Sequence, residues 1–319
     1  MEIKKKNYIF TRNFDLLFIK FPIIFPFIYG LFLYTFPTYE NILIFTALML
    51  FAEPHFGATW PFFLNKENSE EIKSKKIRYI YTPILIVFFS LIGFFYVNAL
   101  FFLIFFAVNI FHVTRQSYGI CKLYKNNEEE LNYQEKIVYF FNSLFFIVGI
   151  LRFYVPIIEK ENILIMNIII IFLFFIIFLI YFIKFKNIEN LLTLITGSII
   201  FFPICFVDKP IHGIVMGVLM HYTHYLSLTF KVYNGRNSFE FEKNKKLLNM
   251  KSLYFLIIIF LYGLIMAVFS SYSNSMDLAL KSLIVIPLIG QFLHFYLDAF
   301  LWRFSEKHNR DTTLKYLHY

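Results

Sequence analysis

Five histidines and two carboxylates of this 319-residue chain stand inside long apolar runs. A charged side chain at the centre of a membrane helix costs about 2.5–3.5 kcal/mol on insertion scales, so each one needs a partner or a task. They fall in four short stretches: Glu53 and His55 in FAEPHFGATW, His112, Arg115 and Gln116 in NIFHVTRQSYG, His221 and His224 in MHYTHYLSL, and His294 and Asp298 in QFLHFYLDAFLWRF. Helical spacing puts His221 and His224 on one face, His294 and Asp298 on another, and Asn109, His112 and Gln116 in a third polar stripe. Glu53 and His55 diverge on a regular helix, but Pro54 between them removes a backbone hydrogen bond and is expected to kink the span so that both turn inward. Neutral imidazoles suit Fe, Zn, Cu or Ni, and histidines with a carboxylate and open positions suit a non-haem iron that activates oxygen. The expected metal ligands are therefore His55, His112, His221, His224 and His294. Glu53, Gln116 and Asp298 are the expected catalytic or orienting groups, because the second nitrogen of each ligating ring needs an acceptor. Asp298 stays open between ligand and acceptor. Arg115 reads as a snorkelling side chain, with a pair to Glu53 or to a substrate head group as the alternative. Tyr222, Tyr225 and Tyr296 read as bundle packing, and Trp60 and Trp302 as part of an interfacial belt. His212, His308 and His318 fall outside the set.

Elements that position such residues must be membrane helices. The chain is 59% hydrophobic and only 16% charged, with a mean hydropathy of +0.63, which excludes a soluble fold. Crossing a bilayer takes roughly 20 helical residues, and charged or turn residues divide the chain into ten such spans: 15–37, 40–64, 78–97, 98–121, 136–158, 162–184, 188–207, 211–232, 251–271 and 278–304. The apolar stretch after Lys4, Lys5 and Lys6 continues past Pro37 without a small-residue cleavage site, so it reads as a first span and not as a signal peptide. With the N-terminus inside, basic residues gather in Lys4–Lys6 with Arg12, in 66–78, 122–136, 184–186, 236–251 and 303–315. The opposite face has only Lys160, Lys209 and Lys281. The positive-inside rule then places both termini in the cytoplasm. The expected fold is an all-α polytopic transmembrane bundle of about ten spans, one integral-membrane domain over 1–319, in a plasma membrane of bacterial type.

Depth is readable from the distance to the first basic residue on the inner side. His55 precedes Lys66 by 11 residues, His112 precedes Lys122 by 10, His221 precedes Lys231 by 10 and His294 precedes Arg303 by 9. At 1.5 Å per residue these agree within about 3 Å. Histidines on spans two, four, eight and ten thus share one layer, and the odd-numbered spans carry none. The net charge of +9 resides in short loops between spans, where it sets orientation, so nucleic-acid binding is not expected. Cys121 and Cys205 form no CxxC, and neither a phosphate loop nor GxSxG is present, which removes disulfide-framework, ATP-driven and serine-hydrolase readings.

At these four stretches the sequence resembles the Brp/Blh family, integral-membrane iron-dependent dioxygenases that cleave β-carotene to retinal. Pro54-His55, Phe111-His112, His221 with His224, and His294 with Asp298 fall in that family's order of landmarks. Phe56 stands where the family has Gly, and the pair is HxxH where the family has HxxxH. The resemblance implies Fe(II) held by His55, His112, His221 and His224, with His294 and Asp298 beside them, O2 as co-substrate, and a hydrophobic or lipid substrate such as a carotenoid. The additional Glu53, His294 and Asp298 leave room for a dinuclear centre. Two readings compete: a proton- or ion-coupled transporter whose histidines relay charge, and a haem-binding electron carrier with axial histidines.

Overall fold

The computed structural model describes residues 8–124, 127–155, 160–237, 250–272 and 277–317. Among these the secondary structure is helical, with no strand. Hydrocarbon explains this, because each backbone N–H and C=O there must be satisfied within its own segment. In chain order the main segments are α1 (Arg12–Thr35), α2 (Pro37–Phe63), α3 (Ile77–Tyr96), α4 (Asn98–Leu123), α5 (Glu128–Tyr154), α6 (Lys160–Phe185), α7 (Ile188–Ser198), α8 (Pro210–Asn237), α9 (Met250–Ser271) and α10 (Leu278–Leu301). Eight of them, all but α7 and α8, contain a stretch long and apolar enough to cross a membrane. The expected span at 188–207 is interrupted: α7 ends at Ser198 after 11 residues, and a 3-10 turn follows at Phe202–Cys205. α8, with 28 residues, has the length to cross. Its histidines and hydroxyl residues keep it below the apolarity of the other eight. Lys4, Lys5, Lys6, His318 and positions 238–249 of the basic linker lie outside the described residues.

The chain forms two compact units, residues 1–40 with 113–224, and residues 41–112 with 225–319. In the first, α7 packs on α5, α6 and the start of α1, and the 3-10 turn packs on α5. Leu164, Ile168, Phe172, Phe175, Leu179 and Ile183 of α6 are all more than half exposed. Their spacing of three or four makes one continuous apolar stripe, which water would not tolerate and lipid would cover. The buried face of α6 carries polar groups. Asn167 donates to the Cys205 carbonyl at 2.9 Å, and Tyr181 donates to Glu130 at 2.6 Å.

In the second unit α9 packs along the latter half of α2, and α10 packs on α2, α3 and α9. α2 is not a uniform helix. It is α-helical over Glu40–Ala47, widens to a π-helical turn at Leu48–Ala52, and resumes as α over Glu53–Phe63. The wider turn passes the Glu53 N–H to the Leu48 carbonyl. Pro54, which has no N–H to give, then sits in the first turn of the new segment, where none is required. The irregularity expected at Pro54 takes this form, and Glu53 and His55 are both buried. Gly263 lets α9 close onto this place, since a Cβ there would lie 2.6 Å from Pro54 Cγ and 2.8 Å from the Met49 carbonyl oxygen. Beyond α10 the chain returns to the ends of these helices. Glu306 accepts hydrogen bonds from Lys75 at 3.0 Å and Arg78 at 2.9 Å. Buried Arg236 donates to the Thr312 carbonyl at 2.8 Å, to Thr313 Oγ1 at 2.7 Å and to the Phe62 carbonyl at 3.2 Å.

Candidate metal centre

Three ligand-type side chains converge within the second unit: His55 from α2, His112 from α4 and His294 from α10. One ring nitrogen of each lies within 4.8 Å of the others, and all three residues are buried. His294 is the middle member. Its ring meets His55 edge-on with centroids 4.4 Å apart and His112 with centroids 4.8 Å apart. The Nε2 atoms of His294 and His112 are 3.0 Å apart. With metal–nitrogen bonds of about 2.0–2.1 Å, neighbouring nitrogens on one ion are roughly 3 Å apart, so this pair already has ligand spacing. The 4.8 Å limit on the three nitrogens is wider than the roughly 3 Å between neighbouring ligands, so the set would have to draw inward to share one ion. Aromatic rings fill the surroundings. Phe56 lies 5.1 Å from the His294 ring, Phe295 4.7 Å from His112 and Tyr225 4.4 Å from His55.

A second layer holds His294 from behind. Thr59, one helical turn after His55 on α2, places Oγ1 2.6 Å from His294 Nδ1 and 2.9 Å from the Tyr225 hydroxyl. Tyr225 donates to Asp298 Oδ1 at 2.8 Å, and the same oxygen is 3.5 Å from Thr59 Oγ1. The other carboxylate oxygen, Oδ2, is 3.7 Å from His294 Nε2, too long for a hydrogen bond but within the spacing of two ligands on one ion. Asp298 follows His294 by one turn of α10, as its spacing implies. Trp302, stacked on Phe62 at 5.3 Å, lies 5.9 Å from the Tyr225 ring and closes this layer.

Of the other residues singled out in the sequence, Glu53 is buried in the second unit with Oε1 3.4 Å from Gln291 Nε2. It is not one of the three converging groups. Arg115 and Gln116 are half-buried and belong to the first unit, as do His221 and His224. His224 Nε2 is 2.8 Å from the Ile19 carbonyl oxygen. His212 is held by Tyr29 at 2.9 Å and Glu40 at 3.3 Å. Tyr296 donates to the Arg78 carbonyl at 3.0 Å, which is a packing role. Tyr225 packs in the buried core with Ala58 and Phe255, and its hydroxyl in addition joins the chain behind His294. Thr59 carried no signal in the sequence at all.

No family model, no curated protein and no solved structure matches this chain.

Proposed function

We propose that this protein is a multi-pass membrane oxidoreductase that holds a single non-haem iron(II) and uses dioxygen to oxidise a lipid-soluble molecule, a carotenoid being the leading substrate. The convergence of His55, His112 and His294 from three helices carries this reading. The residues fit a metal: three neutral nitrogen donors, one pair already at ligand spacing, and a hydrogen-bonded group behind the central ring. Iron is favoured over zinc by the sequence resemblance and by the Asp298 carboxylate next to the central histidine. When bound, iron(II) in such a set supplies the redox chemistry that dioxygen needs to attack an unactivated carbon skeleton. The protein's own part is to hold three rings in fixed orientation, to exclude water with Phe56, Phe295 and Tyr225, and to admit an apolar substrate from the bilayer. We read α8 as a crossing helix, α7 with the following turn as a further span, both termini as cytoplasmic, and the membrane as a bacterial plasma membrane. His221 and His224, which the resemblance implies as ligands, are left out of the proposed set because the converging group forms without them.

The test is oxygen incorporation. Iron-loaded protein in lipid nanodiscs, given β-carotene or a membrane lipid extract under 18O2, is expected to yield an 18O-labelled product that His294→Ala abolishes. Absence of label from every lipid fraction would overturn the reading. The hydrogen-bonded chain from His294 to Asp298 favours one second reading, a proton-conducting carrier. That reading requires proton flux into proteoliposomes from metal-free protein.

A further inference from the structure

Three contacts behind His294 are short enough that each must contain a proton: His294 Nδ1 to Thr59 Oγ1 at 2.6 Å, Thr59 Oγ1 to the Tyr225 hydroxyl at 2.9 Å, and Tyr225 to Asp298 Oδ1 at 2.8 Å. A threonine and a tyrosine hydroxyl each have one proton to give, and an ionised carboxylate has none. The Tyr225 proton therefore occupies the contact to Asp298. The contact between Thr59 and Tyr225 can then be filled only by the Thr59 proton. What remains is the contact between Thr59 and His294, and only an N–H on His294 Nδ1 can fill it. With Asp298 ionised, His294 thus carries its proton on Nδ1, and the lone pair of Nε2 points to the side where His112 Nε2 stands at 3.0 Å. The opposite order, starting from a protonated Asp298, would place the proton on Nε2 and close the ring to a metal. A dication held at Nε2 would keep the nearby Asp298 carboxylate ionised and so favour the first order.

We infer that Thr59 and Tyr225 are positioning residues of the metal centre, forming with Asp298 a one-directional hydrogen-bond chain that sets the tautomer and orientation of His294. The inference rests on the metal reading above and deepens it. One of its members, Tyr225, comes from a helix that gives no ligand to the proposed set, so the chain also couples α8 to α2 and α10. Groups of this kind orient the first ring of ligands, and their loss costs about 10–100-fold in metal affinity.

The experiment is a competition titration with Co2+ against a chromophoric chelator on the full chain in detergent, recording both affinity and the ligand-field spectrum. Thr59→Val and Tyr225→Phe are each expected to weaken Co2+ by about 10–100-fold and to shift the ligand-field bands. Thr59→Ser, which keeps the hydroxyl, is expected to bind within about twofold of the native protein, and the Thr59→Val/Tyr225→Phe double variant no more than about twofold worse than the weaker single one, because the chain is broken only once. Native Co2+ affinity and spectrum in both single variants would overturn the inference, as would multiplicative losses in the double variant. Should Thr59→Val not fold, Tyr225→Phe carries the test alone, since its ring retains the packing against His55 and Trp302. Equal Co2+ affinity in the native protein and His112→Ala would instead overturn the metal reading itself, together with this chain.

Discussion

His294 is the residue on which the centre turns, because one ring nitrogen faces His112 at 3.0 Å and the other faces Thr59 at 2.6 Å. The histidines and Asp298 were readable in the sequence because a polar, ionisable group in an apolar run is expensive and so stands out. Thr59 and Tyr225 were not. A hydroxyl in a membrane helix ordinarily satisfies itself on its own backbone, as Thr223 does on Leu219 at 2.9 Å and Thr229 on Tyr225 at 2.8 Å. Nothing local marks Thr59 as a hydroxyl that bonds across helices. Glu53 offers a prediction at this scale. Its Oε2 is buried without a hydrogen-bond partner among the described residues, and Oε1 has only a long contact to Gln291. An incompletely satisfied buried carboxylate lowers stability, and such groups persist where function needs them. Glu53→Gln is expected to raise stability by about 1 kcal/mol, seen as a higher Tm, while slowing substrate oxidation. A lower Tm with unchanged turnover would assign Glu53 a structural role.

At the scale of elements, the half of α2 that carries His55 and Thr59 is set by two features, the π-helical turn before Pro54 and the close approach of α9 at Gly263. Pro54 was legible as a break in regularity. The π turn was not, because its form depends on the helix packed against it. A methyl group at position 263 would meet Met49 backbone at 2.8 Å, and backbone cannot move aside as a side chain can. Gly263→Ala is expected to destabilise by about 1–3 kcal/mol and to lower metal affinity by displacing His55, measured as Tm and Co2+ binding on the same sample. The interruption after α7 had a weak sequence signal in Gly197-Ser198 and Pro203. Its fixing contact, Asn142 donating to the Gly197 carbonyl at 2.8 Å, is long-range and could not be read. The clamp beyond α10 gives a pH prediction. Burial raises the Glu306 carboxyl, but hydrogen bonds from Lys75 and Arg78 outweigh it and leave the group below its ordinary 4.5. A carboxyl lowered by folding contributes stability above its unfolded value, and that contribution is lost as pH falls through the lower folded value. Glu306→Gln is therefore expected to reduce stability by about 1 kcal/mol at pH 7 and to narrow its gap to the native protein below pH 4. A gap independent of pH would show that the ion pairs contribute nothing.

Across the whole molecule, the all-α character and the membrane-like apolarity followed from composition and run length, because hydrocarbon leaves the backbone few alternatives. Among the described residues eight helices meet the length and apolarity for crossing. The arithmetic that put His55, His112, His221 and His294 at one depth included the three that converge, since helices crossing the same slab bring residues of equal depth within reach. Which of the equal-depth histidines meet was not legible. Depth fixes one coordinate, and the lateral arrangement comes from packing between segments distant in sequence, here residues 41–112 with 225–319 in one unit. The central claim is that the three converging histidines hold a redox metal. Elemental analysis with an absorption spectrum, on protein purified in mild detergent and loaded anaerobically with Fe(II), tests it most directly. The account predicts about one iron per chain, no Soret band, and loss of the iron in His112→Ala. No stoichiometric metal after loading, or iron retained in full by His112→Ala, would contradict it.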